Sequence, residues 1–421
     1  MRVAIHGDIG RPAYHVGDEA VTHAAVTQFA KRGVTDVLLF THDVARTRRA
    51  HAGVDAALTL AVPDEPAARE RYLDAVAAFA AGDPGAFPAG DRVHGVMEKL
   101  RGVDALFVAG GGAMNSRHGR LLTERAALAH LATALGKQVV LGGQTFGPDL
   151  SDADRVTLAG LLGEATLVGL REDHSLALAR ELAGKHEGLR PCLDDAGELA
   201  PPPGWARPVL DRPPLAATFA APDDPAERGA SARAYARLLD AASHRVGAPV
   251  LFLPHLATPG IGDGDEAFHA EIAAHLRAPH ELAPIASALE TAALTATCSG
   301  VVSSRYHPVI FALAGALGSV GVAADEYDRV RIAGAYARVG VDQEPIMLAD
   351  LRAGRTIRSS WVAPLDRPQM LAPSLVSQYD RWWDAVVLAC ASTRGRRGKL
   401  LRTWLRSRRQ GADRLARRLR G

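Results

Sequence analysis

The sequence predicts an α/β protein built from two doubly wound, Rossmann-like domains facing a cleft. Three observations predict it. The chain of 421 residues is too long for one ordinary core and suits two domains. Short, continuously apolar runs alternate with longer helical patterns, as in parallel strands covered on both faces. A proline-rich stretch, Leu199 to Pro214, interrupts that alternation once, after which it resumes.

In order, Arg2 to Ile5, Asp36 to Phe40, Ala105 to Ala109, Gln138 to Leu141 and Thr166 to Leu170 read as buried strands. Helices fall between them, at Asp18 to Lys31, Leu121 to Leu135 and Asp152 to Leu162. Beyond the prolines, strands are expected at Leu215 to Phe219, Pro249 to Leu253, Ala296 to Val302 and Ser319 to Val322. The matching helices are Pro225 to Arg245, Asp265 to Leu276, Pro284 to Ala293 and Pro308 to Ala316. The expected divisions are an N-terminal domain over 1–198, a linker over 199–214 and a C-terminal domain over 215–345. An extension with a helix fills 346–392, and a basic amphipathic tail fills 393–421.

Composition excludes several classes. Hydrophobic residues make up 48% and charged residues 23%, a globular balance rather than a disordered one. Cys192, Cys298 and Cys390 are far apart and form no C-x-x-C pair, which argues against a zinc site or a disulfide framework and for a reducing compartment. The apolar stretch at the N-terminus is too short for a signal-peptide core. The longest apolar run, Pro308 to Ala324, is broken by Gly315, Gly318 and Gly321, and reads as helix, turn and strand rather than a membrane span. A cytoplasmic protein is expected.

Each notable motif follows a predicted strand, where open α/β sheets bind ligands. In HVGDEA, Gly17 permits a tight turn and Asp18 and Glu19 open a helix, whose start can equally be a plain cap. In VAGGGAMN, Gly110, Gly111 and Gly112 let backbone approach a ligand, with Asn115 beyond. GGQTFGP, with Gln144, reads as a strand-exit loop or a tight turn. Arg171, at a strand end in LREDHS, is placed to grip a carboxylate or phosphate, or to pair with Glu172. His255 lies in a glycine-rich loop after a strand, where histidines are also commonly just solvated. In SSRYHP, Arg305 and His307 leave a buried strand together: a permanent charge beside a group that moves protons near neutral pH.

Taken in order, these pieces resemble the polysaccharide pyruvyltransferase family, on GDEA at Gly17, GGG at Gly110, QTFGP at Gln144, REDHS at Arg171 and RYH at Arg305. The LPH segment at Leu253, with Asp263 or Asp265 beyond, is similar to that family's strand-loop before an acidic residue. The resemblance runs over about residues 1–335 and implies an architecture similar to B-type glycosyltransferases. It implies transfer of the enolpyruvyl moiety of phosphoenolpyruvate to two sugar hydroxyls, forming a cyclic ketal and releasing phosphate. It implies catalytic roles for Arg305, His307 and Arg171 on phosphoenolpyruvate, the donor substrate, with no cofactor and no metal. Substrate contacts are then expected from Gly17, Asp18, Glu19, Gly111, Gly112, Asn115, Gln144, His255 and Tyr306. His15 stands where the family often carries asparagine, and Tyr306 where it often carries leucine.

Net charge is +2, but Arg394 to Arg420 alone carries +11 (twelve Lys or Arg, one acid), leaving the rest at 2 − 11 = −9. Leu401, Trp404 and Leu405 fall at helical spacing among these arginines, which suits an anionic membrane surface beside a lipid-linked saccharide acceptor, or a solvated basic tail. Nucleic acid is the weaker partner class, since the remaining chain is acidic. Two rival functions stay open: a nucleotide-sugar-dependent glycosyltransferase of the same architecture, and a non-catalytic saccharide- or membrane-binding relative.

Overall fold

The computed structural model describes residues 1–208, 211–354, 356–367 and 371–392. The expected basic tail, 393–421, lies outside the described residues. In chain order the strands are β1 Arg2–His6, β2 Tyr14–His15, β3 Asp36–Thr41, β4 Asp55–Leu58, β5 Ala105–Val108, β6 Gly111–Met114, β7 Gln138–Phe146 and β8 Leu167–Leu170. They continue as β9 Leu189–Pro191, β10 Leu215–Thr218, β11 Val250–Phe252, β12 Leu256–Ala257, β13 His280–Leu282, β14 Gly300–Ser303, β15 Ser319–Ala323 and β16 Ile346–Met347.

The chain divides into two compact units. Unit 1 comprises Met1–Gly10, Ala25–Leu193 and the chain from Gln378; unit 2 comprises Arg11–Ala24 and Asp194–Ser377. The proline-rich stretch therefore falls at the start of the long segment of unit 2.

Unit 1 holds a parallel sheet in the order β4-β3-β1-β5-β7-β8-β9, with β6 added against the end of β7. Val3 registers with Val37 on one side and Ala105 on the other. All nine residues of β7 and all four of β5 are buried, which is why Val139 to Leu141 and the whole of β5 read as unbroken apolar runs rather than alternating ones. Phe29, Phe107 and Trp383 close one face, with ring centroids 5.3–5.4 Å apart. Burying each such side chain contributes about 1.5–3 kcal/mol. Trp383 belongs to the helix Pro373–Ala391 and thus ties the end of the described chain to the core of unit 1.

Unit 2 repeats the plan with the order β13-β11-β10-β14-β15-β16, again parallel. Phe219, Tyr235, Phe252 and Phe268 fill its core. Its helices start on side-chain caps where the sequence supplies them: Asp224 accepts from Ala226 N, and Ser287 and Glu290 form a reciprocal capping box. A two-residue antiparallel ribbon joins β2 to β12, pairing His15 with Leu256 and Tyr14 with Ala257. The Tyr14 hydroxyl also accepts from Ala288 N at 2.8 Å.

Three local expectations are corrected. The segment GGQTF is not a loop but the second half of β7, because its glycines sit in the sheet against the backbone of the Gly110 loop. The Arg305–His307 motif is not an exit loop: the helix Tyr306–Ala314 begins there, with Arg305 as its extended N-cap and Pro308 in its first turn, where its missing N–H costs nothing. The strand expected from Ala296 begins only at Gly300, after a helix that runs Ala288–Thr295. The side chains of Cys192, Cys298 and Cys390 are all buried. Among the described residues no helix is long and apolar enough to cross a membrane.

Candidate functional site

In unit 2, sequence-distant groups meet at the carboxyl ends of β10, β11 and β14. Arg305 directs Nε and Nη2 onto the two oxygens of Asp265, at 3.2 and 2.5 Å. Asp265 is 1% exposed and sits in the first turn of the helix Gly264–Ala273. Its Oδ2 also accepts the backbone N–H groups of His255 and Leu256, each at 3.0 Å. One buried carboxylate thus fixes both the loop after β11 and the arginine after β14. Nη1 of Arg305 has no partner among the described residues, and 22% of that side chain is exposed. The arginine keeps one edge for a ligand.

His307 occupies the first turn of the helix that follows and is 8% exposed. Its ring lies over Gly17, so closely that a Cβ there would meet Nδ1 at 1.9 Å. Gly17 is therefore required by the histidine rather than by a tight turn, since its φ is not in the left-handed region. The ring of His15 approaches His307 edge-on with centroids 6.4 Å apart. His15 Nδ1 lies 3.0 Å from Asp18 Oδ2, and the Asp18 amide points at the same nitrogen from 3.2 Å.

Two further histidines are held neutral. His255 is 2% exposed, and burial, helped by the fields of His307, His15 and Arg305, pushes its imidazole well below the usual range. Its Nε2 has no hydrogen-bond partner among the described residues. His269 is pushed down to about 4 by burial against the opposing pull of Asp265, and its Nε2 accepts from Phe219 N at 2.9 Å. For His15 burial also disfavours charge, but the Asp18 carboxylate outweighs it and raises the pKa. Tyr306 is 3% exposed, stacked under the Arg331 guanidinium at 5.1 Å, so it packs inside unit 2.

The remaining expected residues belong to unit 1. Arg171 is 2% exposed; its Nη2 donates to Thr145 Oγ1, and its Nε lies 3.6 Å from Glu172 Oε1. Thr145 Oγ1 donates to Glu172 Oε1 at 2.8 Å, Ser175 donates to Glu172 Oε2 at 2.8 Å, and Phe146 N donates to Ser175. Arg171 thus lies beside the Glu172 carboxylate, inside a buried hydrogen-bond network. The spacing of the R-x-x-x-S motif places both ends on the same carboxylate.

Asn115 closes its own loop, donating to Gly112 O at 2.8 Å and accepting His118 N at 3.0 Å. Gln144 donates from Nε2 to Ala109 O at 2.7 Å, while its buried Oε1 has no hydrogen-bond partner among the described residues. Gly110 fits because a Cβ would stand 2.6 Å from Gly143 O; Gly111 faces open space, and Gly112 is partly exposed. Glu19 is 6% exposed on the helix Val16–Lys31, in unit 2 with Gly17 and Asp18. Sequence reasoning missed Asp265 as the clamp of Arg305, and His15 and His269 as members of the cluster. The acidic residue was visible after the LPH loop, but nothing local showed what it grips.

Two Rossmann-like units, one carrying a histidine-rich cluster around a clamped arginine, define a two-domain α/β protein of the B-type glycosyltransferase architecture. The sequence model of the polysaccharide pyruvyl transferase family matches residues 15–325, and the chain belongs to that family. It is a transferase family, so the chain is an enzyme with a saccharide acceptor. Among solved structures, the chain is similar to the UDP-glucose complex of Anabaena Alr3699/HepE, with a TM-score of 0.53 and 11% identity over 92% of this chain and 100% of that one. It is also similar to Neisseria meningitidis UDP-GlcNAc 2-epimerase bound to UDP-GlcNAc, with a TM-score of 0.56 and 10% identity over 92% and 99% of the two chains. At these identities the likeness concerns the fold. Comparison with curated protein sequences finds no match.

Proposed function

We propose that the protein transfers the enolpyruvyl moiety of phosphoenolpyruvate onto two hydroxyls of a cell-surface saccharide, or its lipid-linked precursor, forming a cyclic pyruvate ketal. The observation that carries this reading is Arg305, oriented by Asp265 yet keeping Nη1 open, two residues before His307. Phosphoenolpyruvate brings a carboxylate and a phosphate, and an oriented guanidinium edge suits either.

The atoms balance as follows. A proton adds to the methylene carbon, and a hydroxyl oxygen bonds to C2. The C2–O bond to phosphate then breaks, its electron pair leaving with the phosphate, and the second hydroxyl oxygen takes its place. One hydroxyl proton accounts for the new methyl group and the other leaves with the phosphate. His307 moves one of these protons, to the methylene carbon or from a hydroxyl, and Arg305 stabilises the charge of the departing phosphate. Arg171 serves through the buried network it holds in unit 1. A chain so basic at its end suits acceptors carried at an anionic membrane surface.

The test incubates the protein with phosphoenolpyruvate and a panel of lipid-linked and nitrophenyl glycosides, following inorganic phosphate and a pyruvyl mass increment on the glycoside. Phosphate release dependent on both substrates is expected. Transfer from UDP-glucose with no consumption of phosphoenolpyruvate would overturn the reading.

A further inference from the structure

The reaction proposed above needs two proton-transfer events, and His307 supplies one group. A second histidine stands beside it. His15 Nδ1 is 3.0 Å from Asp18 Oδ2, the arrangement in which a carboxylate orients an imidazole and leaves its far nitrogen for chemistry. Nε2 of His15 has no hydrogen-bond partner among the described residues, and 30% of the side chain is exposed. The backbone is pinned on both sides of the ring: His15 pairs with Leu256 in the β2–β12 ribbon, and Val16 N donates to His255 O at 2.9 Å. Gly17 leaves the space that the His307 ring takes, where a Cβ would meet Nδ1 at 1.9 Å.

We propose that His15, oriented by Asp18, is the second proton-transfer residue of this site and acts as the acid, with His307 as the base. This rests on the pyruvyl-transfer reading. The proton on His15 Nε2 passes to the methylene carbon of phosphoenolpyruvate, whose π electrons form the new C–H bond. His307 takes the proton of the hydroxyl whose oxygen bonds to C2, passes it to the departing phosphate, then takes the proton of the second hydroxyl as that oxygen replaces the phosphate and releases it to solvent. Solvent returns a proton to His15 after phosphate leaves.

The charges around His15 agree with an acid. Asp18 and Asp265 favour its protonated form, while burial and Arg305 oppose it, and the balance raises its pKa. His307 and His255 are the other titratable groups that face it, and His255 is held neutral. A capping role alone would also place Nδ1 at the start of this helix, where it can accept the Asp18 amide. Asparagine caps a helix equally well but cannot donate a proton at neutral pH, so the two roles separate experimentally.

The test uses the full chain with phosphoenolpyruvate and an acceptor that the wild type turns over. His15→Asn should retain the melting temperature and the KM for phosphoenolpyruvate while kcat falls by about 10²–10³-fold. The alkaline limb of the wild-type pH profile, where the acid deprotonates, should vanish in that variant and shift to lower pH in Asp18→Asn. An unchanged kcat and alkaline limb in His15→Asn would overturn the proposal. Without substrate, a ¹⁵N-edited histidine titration should show His15 deprotonating above its ordinary range in the wild type and at lower pH in Asp18→Asn. Indifference of His15 to that substitution would overturn the dyad even if His15→Asn misfolds. No wild-type turnover of phosphoenolpyruvate in any acceptor assay, with the titration as expected, would instead count against the pyruvyl-transfer reading.

Discussion

Asp265 accepts both Nε and Nη2 of Arg305 while one of its oxygens also holds the amides of His255 and Leu256. A carboxylate in that position couples the geometry of two loops, so its loss misplaces an arginine that the sequence shows only as a charge after a strand. Asp265→Asn keeps the volume but removes the charge-assisted bonds, each worth about 1.5–3 kcal/mol. Phosphate release from phosphoenolpyruvate should fall by about tenfold to a hundredfold in kcat/KM. Steady-state kinetics check this, with circular dichroism to show the fold retained.

Gly17→Ala places a methyl group where the His307 ring now sits, 1.9 Å from Nδ1. The ring must swing away, and a proton-transfer group displaced by this much loses about 10²-fold in rate. His307→Ala should abolish transfer, a loss of about 10²–10⁴-fold if proton transfer is its role. Circular dichroism and the melting temperature of both variants separate a loss of rate from a loss of fold. Full turnover in His307→Ala removes it from the mechanism.

Arg171→Met removes from the buried Glu172 the guanidinium that lies 3.6 Å from its Oε1, and loss of one partner of a buried ion pair costs up to about 3–5 kcal/mol. Thermal or urea unfolding should show that loss, and a double-mutant cycle with Glu172→Gln should recover part of it. Additivity of the two substitutions would contradict the pairing.

His269 gives the pH dependence of unit 2 a definite sign. Unfolded, it takes up a proton near pH 6.5; folded, it resists until about 4, because burial, helped by the Arg305 charge, holds it neutral. The unfolded state therefore binds more protons between these values, and stability is lost as pH falls through that window, by about 3 kcal/mol at most. His255 acts in the same direction. His15 runs opposite: its raised pKa adds stability that is complete below about 6.5 and lost as pH rises through the folded value. Between pH 7.5 and 4.5 the wild type should lose stability relative to His269→Gln, which lacks this titration, as unfolding curves at each pH would show.

Gly110→Ala brings a Cβ to 2.6 Å from the Gly143 carbonyl oxygen, a backbone atom that cannot yield without bending β7. Expression of soluble protein and its melting temperature should both drop. Gly111→Ala, which faces open space, should be tolerated by the fold, and any loss of activity there would mark a ligand approach.

Much of the architecture was legible because parallel strands buried on both faces need continuous apolar runs, as at Val3 to Ile5 and Leu106 to Val108. Helix starts were legible where a cap stands before them, as at Ser151 and Asp224. The short edge strands His280–Leu282 and Leu189–Pro191 were not, since edge positions need no apolar run. GGQTF reads as a loop or a tight turn because glycine usually marks one, whereas here it marks backbone packed against backbone.

For the site, the sequence by itself determined the chemistry available: an arginine and a histidine at one strand exit, a glycine-acid start and a histidine loop. Tertiary structure alone decided the partnerships. His15 meets His307 because two residues of β2 pair with β12, and Arg305 is aimed because Asp265 is delivered by a different helix. Such contacts join residues far apart in the chain through single hydrogen bonds and ion pairs. These leave no periodicity behind, so only the folded arrangement reveals them.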